Sequence, residues 1–368
     1  MDTFPLFLEN LIFKSLVFAF LISFLVTPLV IKIANSLGLV DNPRVGKHPA
    51  KVHPKTLPRA GGLAIYLGIL AGALFFLPLS KQLLGILSGA ALLILVGLLD
   101  DKFDLNPYFR LVTNFLAALL AVGGGVGISF ITNPFDGIIH LDTWRISFDL
   151  FGRHSLLVWA DLFALVWIVW CMNMVNWSKG VDGQMPGFVV ISAATLGILA
   201  FRFALKDLGQ EASVILAFIT AGAFLGFLPF NFYPQKIMPG YGGGSLGGFM
   251  LAVLAILSGG KVATAILVLG VPMMDAIYTV LRRLWQKRSP VWADRGHLHH
   301  KLMTLGWGKR KIALFYWLIS AILGGLALTL NSQQKLFTIV LLGVGVGGLL
   351  LWLNFWATFS KQPGRDNG

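Results

Sequence analysis

Residues 83–104, LLGILSGAALLILVGLLDDKFD, run for seventeen residues without a charge and then end in three carboxylates, Asp100, Asp101 and Asp104. A helix rises about 1.5 Å per residue, so such a run approaches the ~30 Å of hydrocarbon in a bilayer. Outward from it, further apolar runs are centred on 11–33, 60–79, 109–130, 155–173, 186–201, 211–230, 244–258, 262–281, 312–330 and 336–356. The pattern predicts an all-α integral membrane protein with eleven transmembrane helices. No repeat or low-complexity segment interrupts it, and the longest non-apolar stretches are 34–59, 131–154 and 282–311. Residues 1–368 therefore read as a single polytopic membrane domain.

Composition agrees. The chain is 56% hydrophobic and only 12% charged, against roughly 25% charged in soluble domains, which excludes an ordinary soluble fold. Its 42 glycines suit membrane helices that pack closely through small residues, and such faces also permit a homodimer. The single cysteine, Cys171, excludes an intramolecular disulfide and a Cys-rich metal site. The opening MDTFPLFLEN is acidic, so a cleaved signal peptide is not expected.

A net charge of +13 invites comparison with nucleic-acid binders, but its distribution gives another cause. With eleven spans, one set of loops and the C-terminal tail carries 21 Lys and Arg, the opposite set carries 7, and Lys14 lies inside a span. Basic loops stay in the cytoplasm. The N-terminus is accordingly expected outside and the C-terminus inside, with the charge serving topology and attraction to anionic lipid rather than nucleic acid. The outer loop 131–154 contains the alternating segment TWRISFDLF, which predicts a short hairpin.

Four cytoplasmic segments carry chemistry. Ionisable groups at span ends are functional candidates, and adjacent carboxylates such as Asp100 and Asp101 need a cation or a raised pKa. A divalent cation facing phosphate is one use of such a pair; a solvated helix cap is the plainer one. In NMVNWSKGVDGQMPG, residues 173–187, Asn173 and Asn176 share a helix face, and Gly180 and Gly183 flank Asp182 where backbone can approach a ligand. An ordinary interhelical turn has the same composition. KIMPGYGGGSLGG, residues 236–248, lacks the Gly-Lys-Ser/Thr ending of a phosphate-cradling loop, and its glycines serve equally well as a close-packing helix face. In RRLWQKRSPVWADRGHLHHKL, residues 282–302, His297, His299 and His300 lie beside Asp294, Arg295 and Lys301. So many neighbouring cations disfavour zinc and suit a phosphate-rich ligand. Asp275, within two turns of the same membrane face, is placed to orient the histidines.

With these residues in view, the chain resembles the polyprenyl-phosphate N-acetylhexosamine-1-phosphate transferases. It looks more like the bacterial undecaprenyl-phosphate N-acetylglucosamine-1-phosphate transferases than the muramoyl-pentapeptide translocases. The likeness runs from about residue 35 to 305 through LGLVDNP, KVHPKTLPRAGG, GLLDDKFDL, the Asn-x-x-Asn…Asp-Gly loop, and SPVWADRGHLHHKL after VPMMD. It implies transfer of a sugar-1-phosphate from a UDP-sugar to undecaprenyl phosphate in the bacterial cytoplasmic membrane. UMP is released, in a first membrane step of cell-wall or surface-polysaccharide synthesis. It further implies that Asp100 and Asp101 hold Mg²⁺ or orient the lipid phosphate, and that Asp182 contacts the nucleotide. His297, His299, His300 and Arg295 would meet the diphosphate. Lys51, His53 and Arg59 would lie near the nucleotide, and Asn173, Asn176, Lys236 and Asp275 would complete the substrate site.

Two acidic positions of that family's pattern are replaced. Its loop reads Asn-x-x-Asn-x-x-Asp-Gly-x-Asp-Gly, and here the first Asp is Lys179. Its Gly-Asp-x-Gly-Ser segment, whose Asp ligates the metal, aligns with residues 240–244, so that ligand has become Tyr241. A Phe that would stack on uracil is Met238. The site is thus three charges more positive than the pattern. This predicts weakened or absent Mg²⁺ dependence, with Lys179 supplying part of the metal's charge. The alternatives are an altered or inactive member that binds lipid phosphate or nucleotide, and a transporter of anionic solutes.

Overall fold

In lipid every backbone N–H and C=O must find its partner within the chain, which leaves helices as the economical way to run apolar sequence across a bilayer. The computed structural model, which describes residues 3–42, 55–135, 137–149, 153–206, 209–259, 262–289 and 296–359, follows that rule. Lys51, His53, Asp294 and Arg295 lie outside the described residues.

In chain order the helices are α1 (Thr3–Ser36), α2 (Gly61–Phe76), α3 (Lys81–Phe103), α4 (Pro107–Gly123), α5 (Val158–Trp177), α6 (Gln184–Ala204) and α7 (Glu211–Asn231). They continue with α8 (Gly240–Leu257), α9 (Val262–Val268), α10 (Gly270–Trp285), α11 (Leu298–Thr304), α12 (Lys309–Thr329) and α13 (Ser332–Phe359). Among the described residues, eight helices are long and apolar enough to cross a membrane; α9 and α10 together form a ninth, bent candidate. α2 and α4 are shorter apolar helices of 16 and 17 residues. The large apolar side chains of α1, α4 and α13, among them Phe13, Leu25, Val112, Leu119, Leu341 and Val344, are exposed. On a soluble protein such a surface would aggregate; here it is the face turned to lipid.

The structure alters three expectations. The run 262–281 is broken at Leu269, with α9 and α10 meeting at 88°. Pro272 explains the break, because in a continuous helix its ring would collide with the Val268 carbonyl four residues earlier. The stretch 282–311 is partly helical: α10 runs on to Trp285, and α11 carries two of the three histidines. The stretch between α4 and α5 forms two hairpins: Phe130–Thr132 with Ile138–His140, and Arg145–Asp149 with Arg153–Leu157. The second includes the alternating segment; with the short pair Val40–Asp41 and Leu57–Pro58 these are the only strands among the described residues.

α8 is the hub. It packs against α2, α3, α5, α6, α7 and α9 and is buried over nearly its whole length. Its glycine-rich start acts as a close-packing face rather than a loop. A β-carbon on Gly97 of α3 would lie 2.5 Å from the Cα of Gly242, and one on Gly62 of α2 would strike the backbone at Gly243. Without a hydrophobic drive between helices in lipid, such backbone approach supplies the van der Waals contact that holds them. It also brings the ends of α2, α3 and α8 to one point.

Candidate functional site

The last turn of α3 and the first turn of α8 meet there, and the sequence explains how each ends. α3 stops at Asp104, a C-cap in the left-handed region at φ 51°, and Asn106 caps α4 by accepting from Tyr108 N at 2.9 Å, with Pro107 as the first helical residue. That tight reversal folds Leu105 N back onto Asp100 Oδ1 at 3.1 Å. Gly240, at φ +69°, starts α8 so close to Asp101 that a side chain there would collide with its carboxylate and with the Arg59 carbonyl.

The two carboxylates are buried and paired. Asp100 meets Arg110 Nη1 at 3.3 Å and Arg59 Nη2 at 3.9 Å, and Asp101 meets Arg59 Nε at 3.2 Å. Asp101 Oδ1 also accepts from Tyr241 N at 3.2 Å. The guanidinium side chains are 22% and 25% exposed while the carboxylates are at most 2% exposed, so cations form the mouth and carboxylates the floor. Lys179 adds a third cation: its Nζ donates to Gly240 O at 2.7 Å. Burial pulls the Lys179 ammonium down from the usual amine range to about 7, and Asp101 is the chief influence pulling it back up. Tyr241 fills the space between, its ring centroid 5.5 Å from the Arg110 guanidinium carbon and 5.9 Å from Lys179 Nζ. Its hydroxyl is within donating distance of Asn114 Oδ1 (2.8 Å) and Arg110 O (3.0 Å).

The remaining candidates surround this core. Asn173 donates to Val169 O in its own helix, at 2.8 Å. Asn176 Oδ1 is buried against Gly244 and has no hydrogen-bond partner among the described residues. Asp182 pairs with Lys309 Nζ at 2.9 Å and accepts from Gln235 N at 3.3 Å. Lys236 is exposed, and its backbone N–H donates to Phe230 O at 2.7 Å.

The histidines form a second cluster. Asp275 Oδ2 lies 3.0 Å from His297 Nδ1, and its Oδ1 accepts from Leu298 N at 2.9 Å, satisfying a free donor at the start of α11. His297 and His299 stack with centroids 5.8 Å apart, and the His299 ring lies directly on Gly180. Burial, with the neighbouring His300 and His297 adding to it, holds His299 well below the ordinary imidazole range. It is therefore neutral at pH 7. His300 is buried beside it, 4.3 Å between centroids.

Mg²⁺, which the resemblance implies, does not fit the residues present. Among the described residues no group of three His, Cys, Asp or Glu is arranged to hold a metal ion. Both Asp100 oxygens and Asp101 Oδ1 already face two arginines and two backbone N–H groups. Two arginines already face the two carboxylates, and Lys179 adds positive charge when protonated, so a divalent cation would enter a pocket already supplied with cations.

Arg110, Asn114 and Lys309 belong to this end of the bundle and carried no motif. In the sequence Arg110 and Lys309 are only two of many loop charges, and Asn114 lies within an apolar run. A signal existed for Arg110: it follows the capping pair Asn106-Pro107 by one turn, which returns it toward Asp100.

Comparison with known proteins gives the same direction. The sequence profile described as Glycosyl transferase family 4 matches residues 83–259. The chain is similar to a probable undecaprenyl-phosphate N-acetylglucosaminyl 1-phosphate transferase of Bacillus subtilis, 32% identical over 341 residues, 89% of each chain. It is also similar to a decaprenyl-phosphate N-acetylglucosaminephosphotransferase of Mycobacterium tuberculosis, 29% identical over 331 residues, 82% of this chain and 78% of the relative. A third relative is an undecaprenyl-phosphate alpha-N-acetylglucosaminyl 1-phosphate transferase of Escherichia coli, 28% identical over 309 residues, 80% of this chain and 77% of the relative. Matched over nearly its whole length and built around the carboxylate pair that the profile spans, the chain belongs to glycosyl transferase family 4, the polyprenyl-phosphate N-acetylhexosamine-1-phosphate transferases.

Proposed function

We propose that this protein transfers an N-acetylhexosamine-1-phosphate from a UDP-sugar to undecaprenyl phosphate, releasing UMP, at the cytoplasmic face of a bacterial cytoplasmic membrane. One observation carries the proposal: buried Asp100 and Asp101 lie under a mouth of three cations, Arg59, Arg110 and Lys179, where the family motifs converge.

An oxygen of the lipid phosphate attacks the phosphorus that bears the sugar. A new P–O–P bond forms, the older one breaks, and its electron pair leaves with UMP. A phosphate monoester is mostly dianionic at pH 7, with a second pKa of about 6. No proton need be removed from the nucleophile, and none is needed by a leaving phosphate. The barrier is electrostatic, since roughly four negative charges must approach bonding distance, and preorganised cations are what lower it. Arg59 and Arg110 are held rigid by the carboxylates beneath them, so they need not reorganise when the anions arrive. Asp182, paired with Lys309, and the Asp275–His297 unit complete the walls.

The orientation rests on the 21 to 7 loop charge split. Eleven crossings are supported by counting α2, α4 and the bent α9–α10 pair with the eight longer helices. Purified protein given UDP-N-acetylglucosamine and undecaprenyl phosphate is expected to release UMP and form lipid-linked sugar in equal amounts. Nucleotide bound without turnover, for every UDP-N-acetylhexosamine offered, would instead identify a binding protein. The orientation is tested by a cysteine at Trp144, expected to react with an impermeant thiol reagent from outside, and one at Lys236, expected to react only from within.

A further inference from the structure

The two places where the sequence departs from its family's pattern meet in space. Lys179 and Gly240 are 61 residues apart along the chain, yet the Lys179 ammonium is hydrogen-bonded to the carbonyl that immediately precedes Tyr241, and it faces the Tyr241 ring. A lysine stands where a carboxylate would add negative charge, and a tyrosine stands where a carboxylate would ligate a metal. Together they replace two carboxylates of the pattern with an amine and the aromatic ring that it faces. The tyrosine is integrated rather than tolerated: it is buried, lies against two cations, and its hydroxyl has two acceptors in reach. Aromatic rings attract cations lying over their faces, so Tyr241 helps hold Lys179 and Arg110 where a divalent ion would otherwise sit.

We propose that the positive charge a divalent cation would bring to the sugar-nucleotide diphosphate is built into this chain as Lys179, Arg59 and Arg110, so that the donor is held without a metal. This rests on the transferase reading of the same site. Three side chains with charge-assisted hydrogen bonds can replace an ion that binds phosphate oxygens. Both carboxylates already face arginines, which leaves less negative charge to attract Mg²⁺.

The test uses purified wild-type protein and UDP as probe, titrated calorimetrically in Mg²⁺ and again in excess EDTA. Mn²⁺ alone is titrated in parallel and followed by its paramagnetic resonance. UDP is expected to bind equally in both buffers, and Mn²⁺ to find no stoichiometric site. Lys179→Met is expected to weaken UDP binding about 10- to 100-fold, the range for losing a charged hydrogen-bond donor, while Lys179→Arg retains most of it. The arginine variant shows that charge, not folding, is being read. UDP affinity that collapses in EDTA, or a Mn²⁺ site lost in Asp101→Asn, overturns this inference and leaves the transferase reading intact. Undiminished UDP binding by Lys179→Met overturns it as well. Absence of UDP binding in both buffers overturns both.

Discussion

Two polar clusters lie at the same end of the bundle and are built on opposite principles. Around Asp100 and Asp101 charged groups predominate, and Arg59 and Arg110 are partly exposed. Around Asp275 the carboxylate is spent on one histidine and one backbone N–H, and the histidine packed beyond it is neutral and buried. The first cluster stores electrostatic potential for an arriving anion. The second stores geometry: it fixes α11 against α10 and lays the His299 ring on Gly180, one residue from Lys179. Charge for binding and hydrogen bonds for position are thus kept in separate but touching places.

Breaking the first cluster should have the largest effect. Asp101→Asn removes the closer of the two carboxylates that hold Arg59 and the charge that Tyr241 N faces, and should lower the initial rate of sugar-phosphate transfer about 100- to 1,000-fold, the scale on which a preorganised electrostatic group acts. A loss below tenfold would mean that Asp101 is scaffolding alone. Breaking the second should appear in stability first. Asp275→Ala removes the partner of His297 and of Leu298 N, and about 1–3 kcal/mol is expected per buried group left unsatisfied. Thermal unfolding in detergent would register it, and an unchanged midpoint would mean that α11 is held by other contacts.

A smaller effect separates the clusters by pH. His299 has its folded pKa depressed, so the unfolded chain binds a proton that the folded chain refuses. Its share of stability is present above the unfolded value of about 6.5 and is lost as pH falls through that value, at up to about 1.4 kcal/mol per pH unit. His299→Gln should flatten the fall in unfolding midpoint between pH 7.5 and 5.5, whereas a slope identical to wild type would assign the proton elsewhere, with His297 and His300 as the neighbouring imidazoles. The smallest effect belongs to Lys236→Ala. Its side chain is exposed, and surface changes of this kind stay within about 0.5 kcal/mol, so stability should hold. A transfer rate that falls steeply would bring Lys236 into the binding mouth.

Much of this was legible in one dimension, for a physical reason. Hydrocarbon thickness sets a run length, so apolar segments announced themselves, and loop charge could be counted without knowing how helices pack. The break at Leu269 has a visible cause in Pro272, but the length of the apolar run 262–281 does not reveal it. The glycines at 240–244 could not be assigned to loop or helix from sequence, because a flexible loop and a close-packed face have the same composition. Gly97 facing Gly242 decides it.

The candidate site divides along the same line. Residue types with costly charges at span ends, Asp100, Asp101, Asp182 and Lys179, stand out by themselves, because lipid penalises them wherever they are not used. What the chain alone determined was therefore a multi-pass membrane protein, and the segments from which its chemistry is drawn. Partnership was left to the tertiary structure: Arg110 with Asp100, Lys309 with Asp182, Asp275 with His297, and Lys179 against Tyr241. Electrostatic pairing depends on distances of a few ångströms between groups remote in sequence, and only the packing of α3, α8 and α10 against their neighbours sets those distances.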